Sequence, residues 1–367
     1  MKILVAGGGS GGHVNPALAM AKSLGVRYPD AEFLFVGSKR GLENDLVPKA
    51  GYKLVTIPVK GFSRGSFLSR LVPYLVLALG MLKSFFIVLF FRPDLAFGTG
   101  GFASGPVLFW TSFFRIPTLI HEANVLPGIT NRMLAPRVDI TAVGFSKSAD
   151  NFKKAARVEV TGNPIRSELT GITREQARKS LGLTENDRLV VVMGGSQGAA
   201  PINKAIVEML EEHFRTGDFR LIFAPGKRHY DEISARIINI PVGVEIKSYI
   251  YDADTVYNAA DLIVNRAGAM TMSEITALGI PSILIPSPYV AENHQEDNAR
   301  ALEESGGCRV ILETELTGGS LYKNIVEILS DRELSGEMRS SSRKFGIKDA
   351  DARLLGLFEE LIEKRKG

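Results

Sequence analysis

Cysteine is almost missing from this chain of 367 residues: Cys308 stands alone. That excludes an internal disulfide and a thiolate metal cluster, and nothing points to an oxidising compartment. Carboxylates are missing from residues 46–93, where Lys49, Lys53, Lys60, Arg64, Arg70, Lys83 and Arg92 are all basic. The opening residues, MKILVAGGG, lack a basic leader, a long apolar h-region and a cleavage site. No signal peptide is therefore expected, and the expected location is the cytoplasm. Low-complexity tracts and long linkers are lacking as well. Apolar residues at 45% and charged residues at 23% exclude a disordered chain, and the length predicts two domains.

Within the carboxylate-free stretch lies LVPYLVLALGMLKSFFIVLFF, residues 71–91. A membrane span needs about 20 uninterrupted apolar residues. Pro73, Gly80, Lys83 and Ser84 interrupt this one, and Arg92-Pro93 runs straight into the apolar DLAFGTGG. No transmembrane span is expected. Two readings stand side by side: a core helix of an α/β domain, or a helix whose surface also docks on a bilayer. Basic flanks would suit an anionic inner leaflet, each contributing roughly 1 kcal/mol near the surface. No nucleic-acid motif accompanies the charge, so nucleic acid is not an expected partner.

Twice an apolar run breaks into a glycine-rich turn and then a helical pattern, at KILVAGGGSGGHVNPALAMAKSL (2–24) and RLVVVMGGSQGAAPINKAIVEML (188–210). Each turn offers backbone N–H groups and a helix N-terminus to a phosphate. Further β-type runs lie at 32–36, 53–57, 95–98, 118–121, 140–143 and 158–160, then at 220–224, 244–248, 262–265 and 282–285. Strands separated by helix-length segments predict an α/β chain of two doubly wound, Rossmann-like domains with parallel sheets facing across a cleft. The expected division is 1–160, 161–345 and a terminal segment 346–367. That last segment reads as a helix over 349–364 that returns to the first domain and packs across the interface. Asp349 would be its N-cap, with Ala352, Leu355, Phe358 and Ile362 on one face.

Gly7, Gly9 and Gly12 satisfy G-x-G-x-x-G, which suggests a dinucleotide. The second predicted strand ends without the acid that would hold a ribose 2′-hydroxyl, whereas Lys39 and Arg40 would accept a 2′-phosphate. An NADP-binding protein is therefore one reading. His13 follows the glycines at a helix start, where the dipole keeps an imidazole neutral and able to take a proton; the plainer alternative is a residue that caps or packs. Other glycine-rich turns, at 98–106 and 266–275, follow predicted strands and make ligand binding by four such turns the better account. Glu274, at the start of a helix, could accept two ribose hydroxyls or merely complement the dipole.

The ordered set GGGSGGHVNPALA, GTGGFASGP, HEANVLPGITN, TGNPIR, GGSQGA, NRAGAMTMSEI and NHQEDNA resembles the MurG family of bacterial glycosyltransferases over nearly the whole chain. The resemblance implies the GT-B fold and an inverting transfer of N-acetylglucosamine from UDP-N-acetylglucosamine to the C4 hydroxyl of the muramyl sugar of undecaprenyl-linked lipid I. It implies a peripheral enzyme on the cytoplasmic face of the membrane, with lipid I, anionic inner-leaflet lipids and other cell-wall synthesis proteins as partners.

Carried over by position, Arg166, Ser196 and Gln197 would hold the donor diphosphate, and Ile250 would read the uracil through its backbone. Ala269, Met270, Thr271, Met272 and Ser273 would form the turn under the diphosphate. Glu274 would bind the ribose, and Gln295 the sugar hydroxyls. Ser10, Gly11, Gly12, His13 and Asn124 would line the transfer site. Gly100, Gly101, Phe102, Ser104 and Gly105 would meet the acceptor diphosphate. Phe102 brings no hydroxyl, and His294 stands where some members have glutamine. His13 is the expected base, with Glu122 as the alternative. No D-x-D pair at the end of a predicted strand argues for a metal, so no cofactor is expected. A diacylglycerol glycosyltransferase of the same fold is the nearest competing reading.

Overall fold

The computed structural model describes residues 1–59, 67–195, 198–237 and 239–366. It divides into two compact units, residues 1–165 with 349–367, and residues 166–348. The first unit runs β1 (Lys2–Gly7), α1 (Gly11–Arg27), β2 (Glu32–Ser38), α2 (Glu43–Lys49), β3 (Lys53–Ile57), α3 (Phe67–Phe91), β4 (Leu95–Gly100), α4 (Ser104–Phe113), β5 (Thr118–Glu122), α5 (Ile129–Leu134), β6 (Ile140–Val143), α6 (Ser146–Ala149) and β7 (Val158–Val160). The second runs α7 (Arg174–Ser180), β8 (Leu189–Met193), α8 (Ala200–Glu212), β9 (Arg220–Ala224), α9 (Tyr230–Arg236), β10 (Val244–Ile246), α10 (Ala253–Ala259), β11 (Leu262–Asn265), α11 (Ala269–Leu278), β12 (Ser282–Leu284), α12 (His294–Glu304), β13 (Cys308–Val310), α13 (Gly318–Ser330) and α14 (Arg332–Phe345). Helix α15 (Ala350–Lys366) follows.

Both sheets are parallel, ordered β3-β2-β1-β4-β5-β6-β7 and β10-β9-β8-β11-β12-β13. The two glycine turns noticed as a repeat therefore follow equivalent strands, β1 and β8. The strands are near-continuous Val, Ile, Leu and Phe because both faces of a parallel sheet are covered. Strand β13 escapes a reading by pattern: CRV offers three residues, one of them charged, and its membership depends on pairing with β12.

Helix α15 returns to the first unit. Leu354, Leu357, Phe358 and Leu361 are buried against α1 and the sheet, and the Phe358 ring meets Phe97 edge-on at 5.1 Å. The buried face differs from the expected one. Ala352 is exposed, and Leu355 and Ile362 are only half-buried. Its Arg365 pairs with Asp94, and Arg27 of α1 pairs with Glu359, which fixes the rotation of the helix.

Helix α3 is the β3-to-β4 crossover, yet it is apolar all round. Over Tyr74–Phe91 its mean hydropathy is 2.2, long and apolar enough to cross a membrane, and only 17% of that window is buried. One stripe, Gly80, Ser84 and Val88, packs inward; a Cβ at Gly80 would lie 2.5 Å from the Pro58 carbonyl. The opposite stripe, Leu75, Leu79, Leu82, Phe86 and Phe90, is exposed. Lys83 donates to the Thr56 carbonyl and Trp110 to the Met81 carbonyl, tying the helix to the sheet and to α4. Lys60, Arg64 and the side chain of Arg70 lie outside the described residues.

His121, in β5, is fully buried and donates from Nε2 to the Gly162 carbonyl, while Nδ1 meets no polar partner. Burial pushes its pKa down to about 4, against the smaller opposing effect of the Gly162 bond. Protons therefore bind the unfolded chain first. Stability is intact above the ordinary histidine pKa of about 6.5 and falls below it, until the folded ring itself protonates near pH 4. From pH 7.5 to 5 the wild type should lose about 2 kcal/mol more stability than His121→Gln. Urea unfolding midpoints at the two pH values check this, and parallel loss in both proteins would refute it.

Candidate active site

Four glycine-rich turns end β1, β4, β8 and β11. In the first unit the turn after β1 is braced by a residue the sequence reading passed over. Glu43, at the start of α2, is fully buried and accepts from Gly9 N at 2.7 Å, Ser38 N at 2.7 Å and Ser38 Oγ at 2.6 Å. Burial raises its pKa, but these bonds outweigh that and hold it below the usual carboxylate value. A Cβ on Gly8, Gly37 or Gly41 would lie 2.0–2.5 Å from its side chain. Those three glycines leave room for one carboxylate, and an acid just after Gly37 and Gly41 was the available signal. The same carboxylate takes the Gly9 amide that a dinucleotide pyrophosphate would need, which sets the NADP reading aside.

The turn places Ser10 and Gly12 exposed, Gly11 half-buried and His13 half-buried. His13 Nδ1 lies 3.1 Å from the Gly8 carbonyl and 3.3 Å from Ser10 Oγ. A carbonyl can only accept, so Nδ1 carries the hydrogen and the neutral ring keeps its lone pair on Nε2. Thr99 Oγ1 donates to the His13 carbonyl, clamping the first turn of α1 to β4. Gly100 and Gly101, at φ +94° and +82°, let the next turn close over the ring; a Cβ on Gly100 would sit 3.2 Å from both His13 Nε2 and Asn131 Nδ2.

Glu122 ends β5 and is also buried. Its Oε1 accepts from Asn124 N and Nδ2 at 3.0 and 3.2 Å, and its Oε2 from Gly128 N and Asn131 Nδ2 at 3.1 and 2.9 Å. Four donors occupy the carboxylate, which shapes the 123–128 loop and orients Asn124 and Asn131. Phe102 is 56% exposed and Gly105 half-buried. Ser104 is fully buried, with its hydroxyl turned to the carbonyls of Ala6 and Gly100 at 2.7 Å. Expected to face an acceptor, it instead holds the β4 turn against β1.

In the second unit, Gly198 at φ +80° closes the turn after β8; a Cβ there would lie 1.8 Å from the Pro225 carbonyl. Ser196 and Gln197 lie outside the described residues. After β11, the first turn of α11 has Ala269, Met272 and Ser273 buried, and Ser273 Oγ donates to the Ala269 carbonyl. Met270 and Thr271 are half-buried. This turn can therefore meet a diphosphate through backbone N–H groups, not through the Ser273 hydroxyl. Arg166 grips Glu274 with two bonds, Nε to Oε1 at 2.7 Å and Nη2 to Oε2 at 3.0 Å. The two residues expected at opposite parts of a nucleotide thus face each other. Ile250 is buried, and Gln295 Oε1 accepts from Ser287 N at 2.9 Å, which leaves its amide nitrogen as the end that can reach a ligand. Glu292 and Asn293, just before α12, both stand at φ +54°. Among the described residues no group of three or more His, Cys, Asp or Glu is placed to hold a metal ion.

Two parallel-sheet α/β units with phosphate-type turns at the ends of equivalent strands give the GT-B architecture, and the family profiles make the chain a glycosyltransferase. The profile of the glycosyltransferase family 28 N-terminal domain matches residues 3–143, and that of the C-terminal domain matches residues 189–354. The chain belongs to glycosyltransferase family 28. The UDP-N-acetylglucosamine–N-acetylmuramyl-(pentapeptide) pyrophosphoryl-undecaprenol N-acetylglucosamine transferase of Acetivibrio thermocellus is 44% identical over 366 residues, covering 100% of this chain and 99% of that protein. The protein of the same name from Caldanaerobacter subterraneus is 45% identical over 365 residues, covering 98% and 100%. In fold, the crystal structure of Acinetobacter baumannii MurG matches with a TM-score of 0.80 at 23% identity, over 98% of this chain and 99% of that one.

Glu43→Gln replaces one acceptor oxygen with an amide that faces backbone N–H groups. Loss of one buried bond should cost about 1–3 kcal/mol. Because the same turn carries His13, the transfer rate should fall, while UDP affinity, expected to depend on the second unit, should stay unchanged. Denaturant titration and a UDP binding isotherm test the two halves; an equal drop in UDP affinity would show general unfolding instead.

Proposed function

We infer that this chain transfers N-acetylglucosamine from UDP-N-acetylglucosamine to the C4 hydroxyl of the muramyl sugar of undecaprenyl-pyrophosphoryl-MurNAc-pentapeptide, lipid I, giving lipid II for peptidoglycan. The full-length relatives at 44–45% identity carry that name. They favour this reading over a diacylglycerol acceptor.

In the reaction the acceptor oxygen forms a bond to the anomeric carbon from the face opposite the diphosphate, and the bond from that carbon to the β-phosphate oxygen breaks. The bonding pair leaves with UDP, and the acceptor proton must go to a base. What supports His13 as that base is the Gly8 carbonyl on Nδ1, which sets the lone pair on Nε2. Glu122, saturated by four donors, acts as a positioning residue for Asn124 and Asn131. The charge growing on UDP is met by the first-turn amides of α11 and by the Arg166 guanidinium. Glu274 then exchanges part of its grip on Arg166 for the ribose hydroxyls, so donor binding frees an arginine for the diphosphate.

On the same reading the exposed stripe of α3, joined by Phe113 at 66% exposure and Phe114 at 39%, lies on the inner leaflet, where the lipid-linked acceptor is found. Trp110 and Phe85, 5.0 Å apart edge to face, stiffen that surface.

Labelled transfer to a detergent-dispersed lipid I analogue should proceed with UDP-N-acetylglucosamine and fail with a diacylglycerol acceptor; the reverse preference would overturn the acceptor assignment. In that assay His13→Ala should lower turnover about 10²–10⁴-fold with donor affinity kept, and near-normal turnover would remove His13 as base. Leu79→Glu with Phe90→Glu should abolish cosedimentation with phosphatidylglycerol vesicles while leaving transfer to a soluble acceptor analogue unchanged. Retained cosedimentation would move the docking surface elsewhere.

A further inference from the structure

The second sheet has two ends. The donor turns lie where β8 and β11 finish. Where the same strands begin, arginines from α7, α14 and the residue before β8 gather around one carboxylate. Asp261, just before β11, accepts from Arg174 Nη2 at 2.6 Å, Arg178 Nη1 at 3.0 Å and Leu189 N at 2.9 Å. Arg174 and Arg178 are further satisfied by the carbonyls of Ala260, Thr184 and Asp187. Arg188, Arg332, Arg339 and Arg343 are not. With Arg174 they line a cavity of about 360 Å³, together with Asp261, Ser335, Gly336 and Leu329. Among the described residues these four form no ion pair; Arg188 and Arg343 each reach one carbonyl, at 3.5 Å. Asp187, next to Arg188 in the chain, is turned to Thr184 N and Oγ1 at 2.6 and 2.7 Å, and Glu333 and Glu337 of α14 are exposed.

So many cations facing one another around a single anion is unfavourable without a counter-charge. Burial first, and then repulsion from Arg174, lowers the Arg339 pKa to about 10. We propose that this pocket binds the phosphoryl group of a small phosphorylated ligand, a second oxyanion site at the end of the sheet opposite the donor turns. Guanidinium forks match phosphate oxygens in pairs. The volume suits a small ligand, at the lower end of the roughly 300–1,000 Å³ usual for such pockets. Five arginines in the lining make charge the recognition element. The site also touches the donor turn through a single helix: Arg343 lies over Gly279, the residue that ends α11 at φ +65°, and the other end of α11 is the donor turn.

The test is calorimetric titration of inorganic pyrophosphate into the full chain carrying a stoichiometric amount of UDP, at low ionic strength. The expected result is saturable one-to-one binding, weakened about tenfold or more in Arg339→Gln with Arg343→Gln while UDP affinity is unchanged. Arg332→Gln, on the exposed start of α14, should weaken it in the same direction without burdening the fold. Displacement of pyrophosphate by phosphatidylglycerol vesicles, but not by phosphatidylcholine ones, would assign the phosphoryl group to a lipid headgroup. Indifference to both would assign it to a soluble phosphate. Absence of binding once UDP is present, or equal binding by the double variant, would overturn the site.

Discussion

At β1 and β4, and again at β8 and β11, the strand order reverses, so the crossovers on either side leave in opposite directions. The carboxyl ends of these two strand pairs are where nothing from the chain's own crossovers fills the space, and the four glycine-rich turns are found there. Glycine follows because backbone must approach backbone there. Gly100 and Gly101 close over His13, and Gly198 presses on the Pro225 carbonyl. Side chains reach these ends from the helices that begin there: His13 lies in the first turn of α1 and Glu274 in the second turn of α11, each after a glycine segment.

Once that constraint is set, carboxylates do much of the positioning. Glu43 holds the first turn, Glu122 the loop that carries Asn124, and Glu274 the side chain of Arg166. Each is buried and matched by donors, so each fixes geometry at the cost of fixing its own oxygens. Glu43 and Glu122 each bind two backbone N–H groups beside their side-chain donors, and a backbone N–H has no alternative position. Glu274 binds a mobile guanidinium, which has several. A carboxylate of the last kind can change partners when a ligand arrives; the first two cannot without opening a turn.

This division explains what could be read from the sequence. Repeated glycine turns, the alternation of strand and helix, and the pairing of β8 with the role of β1 are local patterns, and they were legible. The Glu43 contacts join Gly9 to a residue 34 positions away, and its meaning appears only when β1 and β2 lie side by side. The direction of the Ser104 hydroxyl, toward the carbonyls of Ala6 and Gly100, was not legible because motif position says nothing of which way a hydroxyl turns. The face of α15 was misread because Leu354, Leu355, Leu357, Phe358, Leu361 and Ile362 allow two overlapping stripes, and packing against α1 and the sheet selects the one with Leu354, Leu357, Phe358 and Leu361. For α3 the apolar run was plain, but uniform hydrophobicity hides which stripe packs inward.

The return of α15 to the first unit makes the second unit an insertion within it. During synthesis the face of the first sheet that carries Ile3, Val5, Phe97 and Leu119 stays uncovered by its final helix until all of the second unit has left the ribosome. At about 5–20 residues per second that interval is roughly 10–40 s. Through it the nascent chain presents a broad aliphatic surface, and beside it the exposed stripe of α3. A newly made molecule thus offers two sticky faces, one that its own last helix will cover and one that it keeps, and a chaperone or a bilayer can reach both before the helix does.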